Sequence, residues 1–203
     1  MHKIKPIFII FIIVATIVTC VNPIYPHDQY LQHAGTVLLL IPLLIDARKN
    51  CMPMSAFVGI VLFTLLHVIG ARYIYSYVPY KEWCTAIGIV DAEFFQDPRN
   101  NFDRLVHFSY GITLFPYFLY LCRSLFHQKP FTAILMAWLM IQTGSMIYEL
   151  FEWTLTIVMT SEEADYYNGQ QGDMWDAQKD MALAMFGSTI MLAYYLSKYK
   201  IRV

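Results

Sequence analysis

Charged side chains are scarce in this chain of 203 residues, because Asp, Glu, Lys and Arg together make up only 14% of it. Soluble domains carry about 25%, so the low charge excludes an ordinary soluble domain. The four cysteines show no spacing typical of a zinc site. Cys20 and Cys84 are the two that could pair at one face of a membrane. No internal repeat or Gly/Ser linker is present, and we therefore expect a single integral membrane domain, 1–203, with no nucleic-acid partner.

Named metalloenzyme motifs are missing as well. The ferritin-like Glu-x-x-His pair and the zincin His-x-x-x-His pair do not occur. Any metal chemistry must therefore be inferred from where the acidic and imidazole side chains lie relative to the membrane.

Hydrophobic residues, by contrast, make up 58% of the chain. A membrane-spanning helix needs roughly 17 to 25 apolar residues, and six segments approach that length. They are 6–21, 31–45, 53–70, 105–122, 131–159 and 181–196, of which 31–45 is short and contains Pro42. The pattern predicts an all-α, polytopic membrane bundle of about six transmembrane helices.

The distribution of Lys and Arg predicts the orientation, because cytoplasmic loops carry an excess of them. With six spans, nine of the 14 basic residues fall on the side that holds both termini. The other side holds five basic residues and every acidic residue except Asp46, that is 14 of the 15. We therefore expect an inner-membrane protein with both termini in the cytoplasm. The start of the chain also resembles a signal peptide, but no small-x-small cleavage pattern follows, so we favour an uncleaved first span.

The acidic residues at helical spacing lie in three segments beside or inside the apolar runs. Six spans of alternating direction place the start of the fourth, the end of the fifth and the start of the sixth at one outer face. The residues concerned are Asp103 and His107, then Glu149 and Glu152, then Asp173, Asp176 and Asp180. In the fifth span Gln142, Ser145, Glu149, Glu152 and Thr156 form a polar stripe along one helix face.

The two glutamates lie deep in the predicted bilayer. A helix over 131–159 would be about 43 Å long, which puts them roughly 10 to 15 Å before its outer end. An ionised group at this depth is expensive and is treated as a functional candidate. Groups this deep must be neutral, paired or metal-bound. Several carboxylates cannot all ionise in one dry site without a cation, which Arg72, Arg104, Lys179 or a divalent metal could supply. Asp103 and Asp173 are also explained by helix capping alone, and His67 by an ordinary hydrogen bond to a neighbour.

Two outer loops, 72–102 and 160–172, connect these spans. The first is rich in aromatic residues suited to the membrane interface, and the second contains the turn signal Asn168-Gly169. Either loop could cover the acidic site as a lid.

Four motifs make the chain similar to the YjdF-type bacterial inner-membrane proteins, a family without an assigned function. They are HVIGARY (67–73), NFDRLVHF (101–108), YELFEW (148–153) and QGDMWDAQKDM (171–181), and the resemblance covers nearly the whole chain. The order of polar groups more distantly resembles the VanZ-like proteins, with Asp-Lys-x-x-His, a Glu and then an Asp. Here Arg104 replaces the Lys, and Glu152 and Asp180 stand where amides are usual. Those proteins are linked to glycopeptide tolerance and the cell envelope, but such a likeness does not transfer function.

The leading hypothesis is a metal-dependent membrane hydrolase or transferase at the outer leaflet. Its substrate would be a membrane lipid or a lipid-linked envelope compound, and its cofactor Mg, Mn or Zn, which carboxylates with imidazole suit. The predicted ligands are His107, Glu149, Glu152 and Asp180, with Asp103 and Asp173 beside them. Asp176 or His67 would be the catalytic base, and Arg72 and Arg104 would hold an anionic headgroup.

Two other functions remain open. A cation- or proton-coupled transporter or sensor could use the same acids as a relay, although a transport path should reach both faces. A non-enzymatic membrane partner protein would need the acids only for packing and recruitment.

Overall fold

The computed structural model describes residues 4–89, 98–159 and 170–201, and the regular secondary structure in these ranges is helical. No strand occurs in these ranges. The helices are α1 (Lys5–Thr19), α2 (Pro26–Lys49), α3 (Met54–Arg72), α4 (Tyr80–Ala86), α5 (Phe102–Thr113), α6 (Phe115–Ser124), α7 (Pro130–Val158) and α8 (Asp176–Ile201). The prediction of an all-α membrane protein is confirmed.

Four stretches are long and apolar enough to cross a membrane. They are Pro26–Lys49, Met54–Arg72, Phe102–Ser124 and Pro130–Val158. The helix Lys5–Thr19 is apolar but shorter. The predicted spans 6–21 and 181–196 coincide with α1 and α8, so both are helices, and their crossing of the membrane stays a prediction.

Proline determines several helix boundaries. It stands in the first turn of α1, α2, α6 and α7, where the missing N–H costs nothing. Pro116 also divides the predicted span 105–122 into α5 and α6, because its ring clashes with the carbonyl one turn earlier and its nitrogen cannot donate. Helix α2 accommodates Pro42 and ends at Asn50, which adopts the left-handed conformation with φ 43°.

The apolar core lies between α1, α2, α3, α6 and α7, and its fully buried side chains include Ile12, Leu43, Phe57, Phe115 and Ile141. The outside of the bundle is apolar as well. On α1 alone Ile7, Ile10, Phe11, Ile17 and Val18 are more than half exposed. Exposure of such a surface to water would be unfavourable, whereas contact with lipid tails, which are also apolar, would not.

Polar contacts join neighbouring segments at both ends of the bundle. At one end the Lys5 ammonium donates to Asp46 Oδ2 at 2.6 Å and to the Met52 carbonyl at 2.9 Å, and both partners of this ion pair are buried. Asp46, the one acid predicted on the basic side, is thus neutralised there. At the other end Arg72 donates to the carbonyls of Thr19 and Asn22, which joins the end of α3 to the end of α1.

Candidate functional site

The end of the bundle opposite Lys5 and Asp46 carries an acidic cluster, brought together by α5, α7 and α8 and the turn before α8. Its members are Asp103, His107, Glu149, Glu152, Asp173, Asp176 and Asp180. The three segments that the sequence placed at one face therefore do meet, as the distances below show.

Two glycines allow α5 and α8 to approach closely. A Cβ added at Gly111 would lie 2.2 Å from the Ala184 carbonyl oxygen, and one added at Gly187 would lie 2.3 Å from the Phe108 carbonyl oxygen. Any larger residue would push the helices apart. This contact aligns Asp103 and His107 on α5 with Asp176 and Asp180 on α8.

The outer layer of the cluster consists of ion pairs. Arg99 Nη2 lies 2.9 Å from Asp103 Oδ2 and 2.5 Å from Asp176 Oδ1. Asp173 Oδ2 lies 2.5 Å from both Arg104 Nη2 and Lys179 Nζ. These contacts lower the pKa of Asp173 to about 2, with the Lys179 hydrogen bond as the largest cause. The three outer acids Asp103, Asp173 and Asp176 are therefore already paired with protein cations.

In the inner layer, neither Glu149 nor Asp180 forms an ion pair with a lysine or arginine of the described residues. Ligand atoms of His107, Glu149 and Asp180, from three different helices, all lie within 4.8 Å of one another. Glu149 and Asp180 are 6% and 4% exposed. Glu149 Oε1 and Asp180 Oδ1 have no hydrogen-bond partner in the described residues, and His107 Nε2 lies 3.5 Å from that glutamate oxygen. Buried carboxylate oxygens are normally satisfied, so this layer can accept a cation.

A second group that could hold a cation comprises Asp103, Asp176 and Asp180. Arg99 bonds to two of these three carboxylates, so its guanidinium already supplies positive charge at this position. The inner group is the better candidate for a metal ion.

A polar cavity of about 320 Å³ opens beside the cluster, between α7, α8 and the turn that precedes α8. Acidic and apolar side chains alternate on its wall. They are Glu149, Glu152, Asp173 and Asp176 together with Met146, Leu150, Trp153, Met174 and Met181, and the lining is completed by Gln170, Ala177 and Gln178.

An apolar cavity of similar size, also about 320 Å³, lies on the other side of His107. Residues of α2, α3, α5 and α7 and Tyr75 form its wall. They are Gly35, Leu38, Leu39, Phe63, His67, Tyr75, Val106, His107, Tyr110, Leu114, Gly144, Ser145 and Tyr148. His107 lines this cavity while its Nε2 atom faces Glu149, which lines the polar one.

Two predicted site residues lie away from the acidic cluster. His67 Nε2 is 2.9 Å from the Gln32 carbonyl and its Nδ1 is 2.5 Å from the Tyr75 hydroxyl, so both ring nitrogens have partners, as the simpler interpretation of His67 expected. Arg72 binds backbone carbonyls at the end of α1. Their proposed roles as base and headgroup ligand stay predictions without support from this geometry. Arg104, by contrast, lies in the cluster.

Arg99 is the site residue that the sequence interpretation missed. Its spacing of i, i+4 to Asp103 was the available signal, but it lies outside the apolar runs. Asn100 and Gln171 hold its loop against the turn before α8 through two hydrogen bonds of 2.9 Å. Of the two predicted lids, residues 90–97 and 160–169, with the turn signal Asn168-Gly169, lie outside the described residues. Cys20 and Cys84 are both free thiols.

Comparison with known proteins agrees with this architecture. A family model described as a predicted membrane protein, DUF2238, matches residues 4–200. The chain belongs to this family. It is also 27% identical over 194 residues to the inner membrane protein YjdF of Escherichia coli (strain K12), covering 92% of this chain and 87% of that protein. No solved structure matches the chain. The resemblance predicted from the four motifs is thus confirmed, and the protein is a multi-pass protein of the inner membrane.

Proposed function

We propose that the protein binds a divalent cation through His107, Glu149 and Asp180 and uses it to act on a lipid or lipid-linked substrate of the cell envelope. One observation carries this proposal. Two almost fully buried carboxylates and an imidazole converge within 4.8 Å from three helices, and one oxygen of each carboxylate has no partner in the described residues.

The charge balance favours a metal over a further protein cation. Arg99, Arg104 and Lys179 pair with the outer acids Asp103, Asp173 and Asp176. An ionised carboxylate buried without a partner costs several kcal/mol. A divalent ion would offset two of them at once, and mixed carboxylate and imidazole ligands suit Mg, Mn or Zn.

The open polar cavity favours catalysis over a purely structural metal. Catalytic metal sites keep a coordination position for water or substrate beside about three protein ligands. Here Glu149 is both a ligand candidate and part of the cavity wall. A metal at this point would polarise a phosphoryl or carbonyl oxygen or lower the pKa of water. Asp176 is the candidate base, and it lines the same cavity. Arg104, which lies beside Asp173 and Asp176, is the candidate to bind an anionic headgroup, which would compete with these two carboxylates for its guanidinium.

The proposal includes the orientation of the protein in the membrane. Basic residues predominate at the end with Lys5, and the acidic cluster lies at the other end, so the positive-inside rule places the cluster at the outer leaflet with both termini in the cytoplasm.

The transporter alternative receives less support from the packing. The polar stripe on α7 continues inward through Gln142, which donates to Ser188 Oγ at 2.8 Å. Beyond it Ile134, Ala137 and Ile141 are buried in the apolar core. A relay to the basic end would have to cross this dry layer, whereas a one-sided enzyme site would not.

The test is cation binding by the full-length protein purified in detergent. Titration with Mn²⁺ followed by electron paramagnetic resonance should show one tight site. Glu149→Gln and Asp180→Asn should each weaken it by at least about tenfold, since even outer-shell changes cost 10- to 100-fold. Asp28→Asn is the matched control, because Asp28 lies near the start of α2, outside the cluster. A wild-type protein that binds no Mn²⁺, Mg²⁺ or Zn²⁺ would overturn the proposal. If the variants lose abundance but the wild type binds no metal, the acids serve packing only.

A further inference from the structure

We propose that the apolar cavity between α2, α3, α5 and α7 binds an acyl chain of a membrane lipid, whose polar end reaches the cation site past His107. This inference names the substrate class of the proposed function. The part of the inference that concerns the headgroup depends on the proposed function, whereas the part that concerns the acyl chain depends on the cavity alone.

The location of the cavity selects a lipid chain as the occupant. Its wall consists mainly of residues from four stretches that are long and apolar enough to cross a membrane. In a bilayer, the outer surface of these four stretches would contact lipid tails and not water. Leu38, at the cavity wall, is 67% exposed on the outside of the bundle, so a chain can enter laterally from the bilayer.

The lining fits a chain better than a polar ligand. Leu39, Phe63, Val106 and Leu114 provide the apolar surface. Binding pockets for small ligands have volumes of about 300 to 1,000 Å³ with a few placed polar groups on apolar walls. The volume of about 320 Å³ lies within that range.

Ser145 supplies an independent observation. Its side chain is only 3% exposed, it lines this cavity, and its Oγ atom has no hydrogen-bond partner in the described residues. A buried hydroxyl without a partner is unfavourable in an apolar site. The carbonyl oxygen of an ester or amide linkage would accept its hydrogen bond and so position the chain.

The path from chain to headgroup runs along α7. Ser145 precedes Glu149 by one helical turn, so the two side chains lie one above the other. His107 stands between the cavities, with its ring 5.8 Å from that of Tyr148 and its Nε2 3.5 Å from Glu149 Oε1. A lipid with its linkage at Ser145 therefore has its polar end about one helical turn, roughly 5 Å, from the cation ligands.

The experiment is photolabelling in nanodiscs with a trace of phosphatidylglycerol that carries a mid-chain diazirine, read out by peptide mass spectrometry. Adducts should concentrate on Leu39 and Phe63, which line the cavity away from the headgroup end, and should saturate with probe, whereas adducts on Ile41 should rise linearly. Leu39→Trp should reduce the cavity adducts by at least about fivefold, since an indole there removes space for several methylene groups. Ser145→Leu should do the same without changing α2.

The matched control is Ile41→Trp, because Ile41 is 46% exposed on α2 and does not line either cavity. It should leave the cavity adducts unchanged within about twofold, as expected for independent sites. Even, unsaturable labelling of α2 and α3, or full labelling of both filled variants, would overturn the chain site. The acyl-chain site and the cation site can fail independently of each other. Labelling of the cavity should persist in EDTA and in Glu149→Gln even if no metal binds.

Discussion

His107 on α5 and Glu149 on α7 face each other with Nε2 and Oε1 3.5 Å apart, and each lines a different cavity. This pair joins the acidic cluster to the apolar interior of the bundle. Because the two side chains are only 14% and 6% exposed and come from different helices, a change in either should alter the site with little effect on the surface.

Replacing His107 should weaken cation binding. His107→Gln removes the imidazole ligand, and we expect the affinity for Mn²⁺ to fall by about 10- to 100-fold, the size of effect that site perturbations produce. Electron paramagnetic resonance titration measures it. His27→Gln is the control, since the His27 side chain is 77% exposed. Binding should also release protons, because the ligands must be deprotonated. An unchanged affinity would remove His107 from the ligand set.

The ion pairs of Asp173 should make part of the stability depend on pH. Its pKa is lowered from 3.8 to about 2, so its contribution is complete above about pH 4 and is lost as the pH falls towards 2. Asp173→Asn should lower the melting temperature at pH 7 by about 1 to 3 °C, as for other exposed ion pairs. At pH 2 most of this difference should be gone, because about half of the Asp173 carboxyls are then protonated in the folded protein. A difference at pH 2 as large as that at pH 7 would show another cause.

Enlarging Gly111 should separate α5 from α8. The added Cβ would lie 2.2 Å from the Ala184 carbonyl and 2.6 Å from the Ser188 nitrogen, both of them backbone atoms. Gly111→Leu should therefore destabilise the protein by about 1 to 3 kcal/mol or more and abolish cation binding. Thermal unfolding and Mn²⁺ titration measure the two effects. Met185→Leu, at an exposed position of α8, should do neither. Normal binding in Gly111→Leu would mean that the helices can shift without opening the site.

The acidic end of the bundle should be accessible from outside the cell. Met174 is 83% exposed beside the acidic cluster. In a background with Cys20→Ser, Cys51→Ser and Cys84→Ser, Met174→Cys should therefore react with an impermeant maleimide in intact cells. In the double variant Cys20→Ser and Cys84→Ser, the remaining Cys51, which is exposed near the basic end, should react only after permeabilisation. The opposite pattern would invert the proposed topology.

Much of this arrangement is predictable from the sequence because it depends on local properties. Apolar length predicts the helices, and alternating direction brings Asp103, Glu149 and Asp180 to one end regardless of packing detail. The polar stripe on α7 likewise faces neighbouring helices, since Gln142 reaches Ser188 on α8. The division of the fourth span was also readable in principle from Pro116.

What the sequence by itself determined is therefore an all-α inner-membrane bundle with its acids gathered at one end. Only the tertiary structure decided which acids are neutralised. Arg99, from a loop outside the apolar runs, forms ion pairs with Asp103 and Asp176. Arg72 hydrogen-bonds to the end of α1, and His67 hydrogen-bonds to α2 and to Tyr75. These contacts join residues that are far apart in the sequence, and they depend on differences of a few ångströms in position. Helical periodicity carries no information about such differences. These contacts leave Glu149 and Asp180 as the buried carboxylates with oxygen atoms that lack a partner in the described residues.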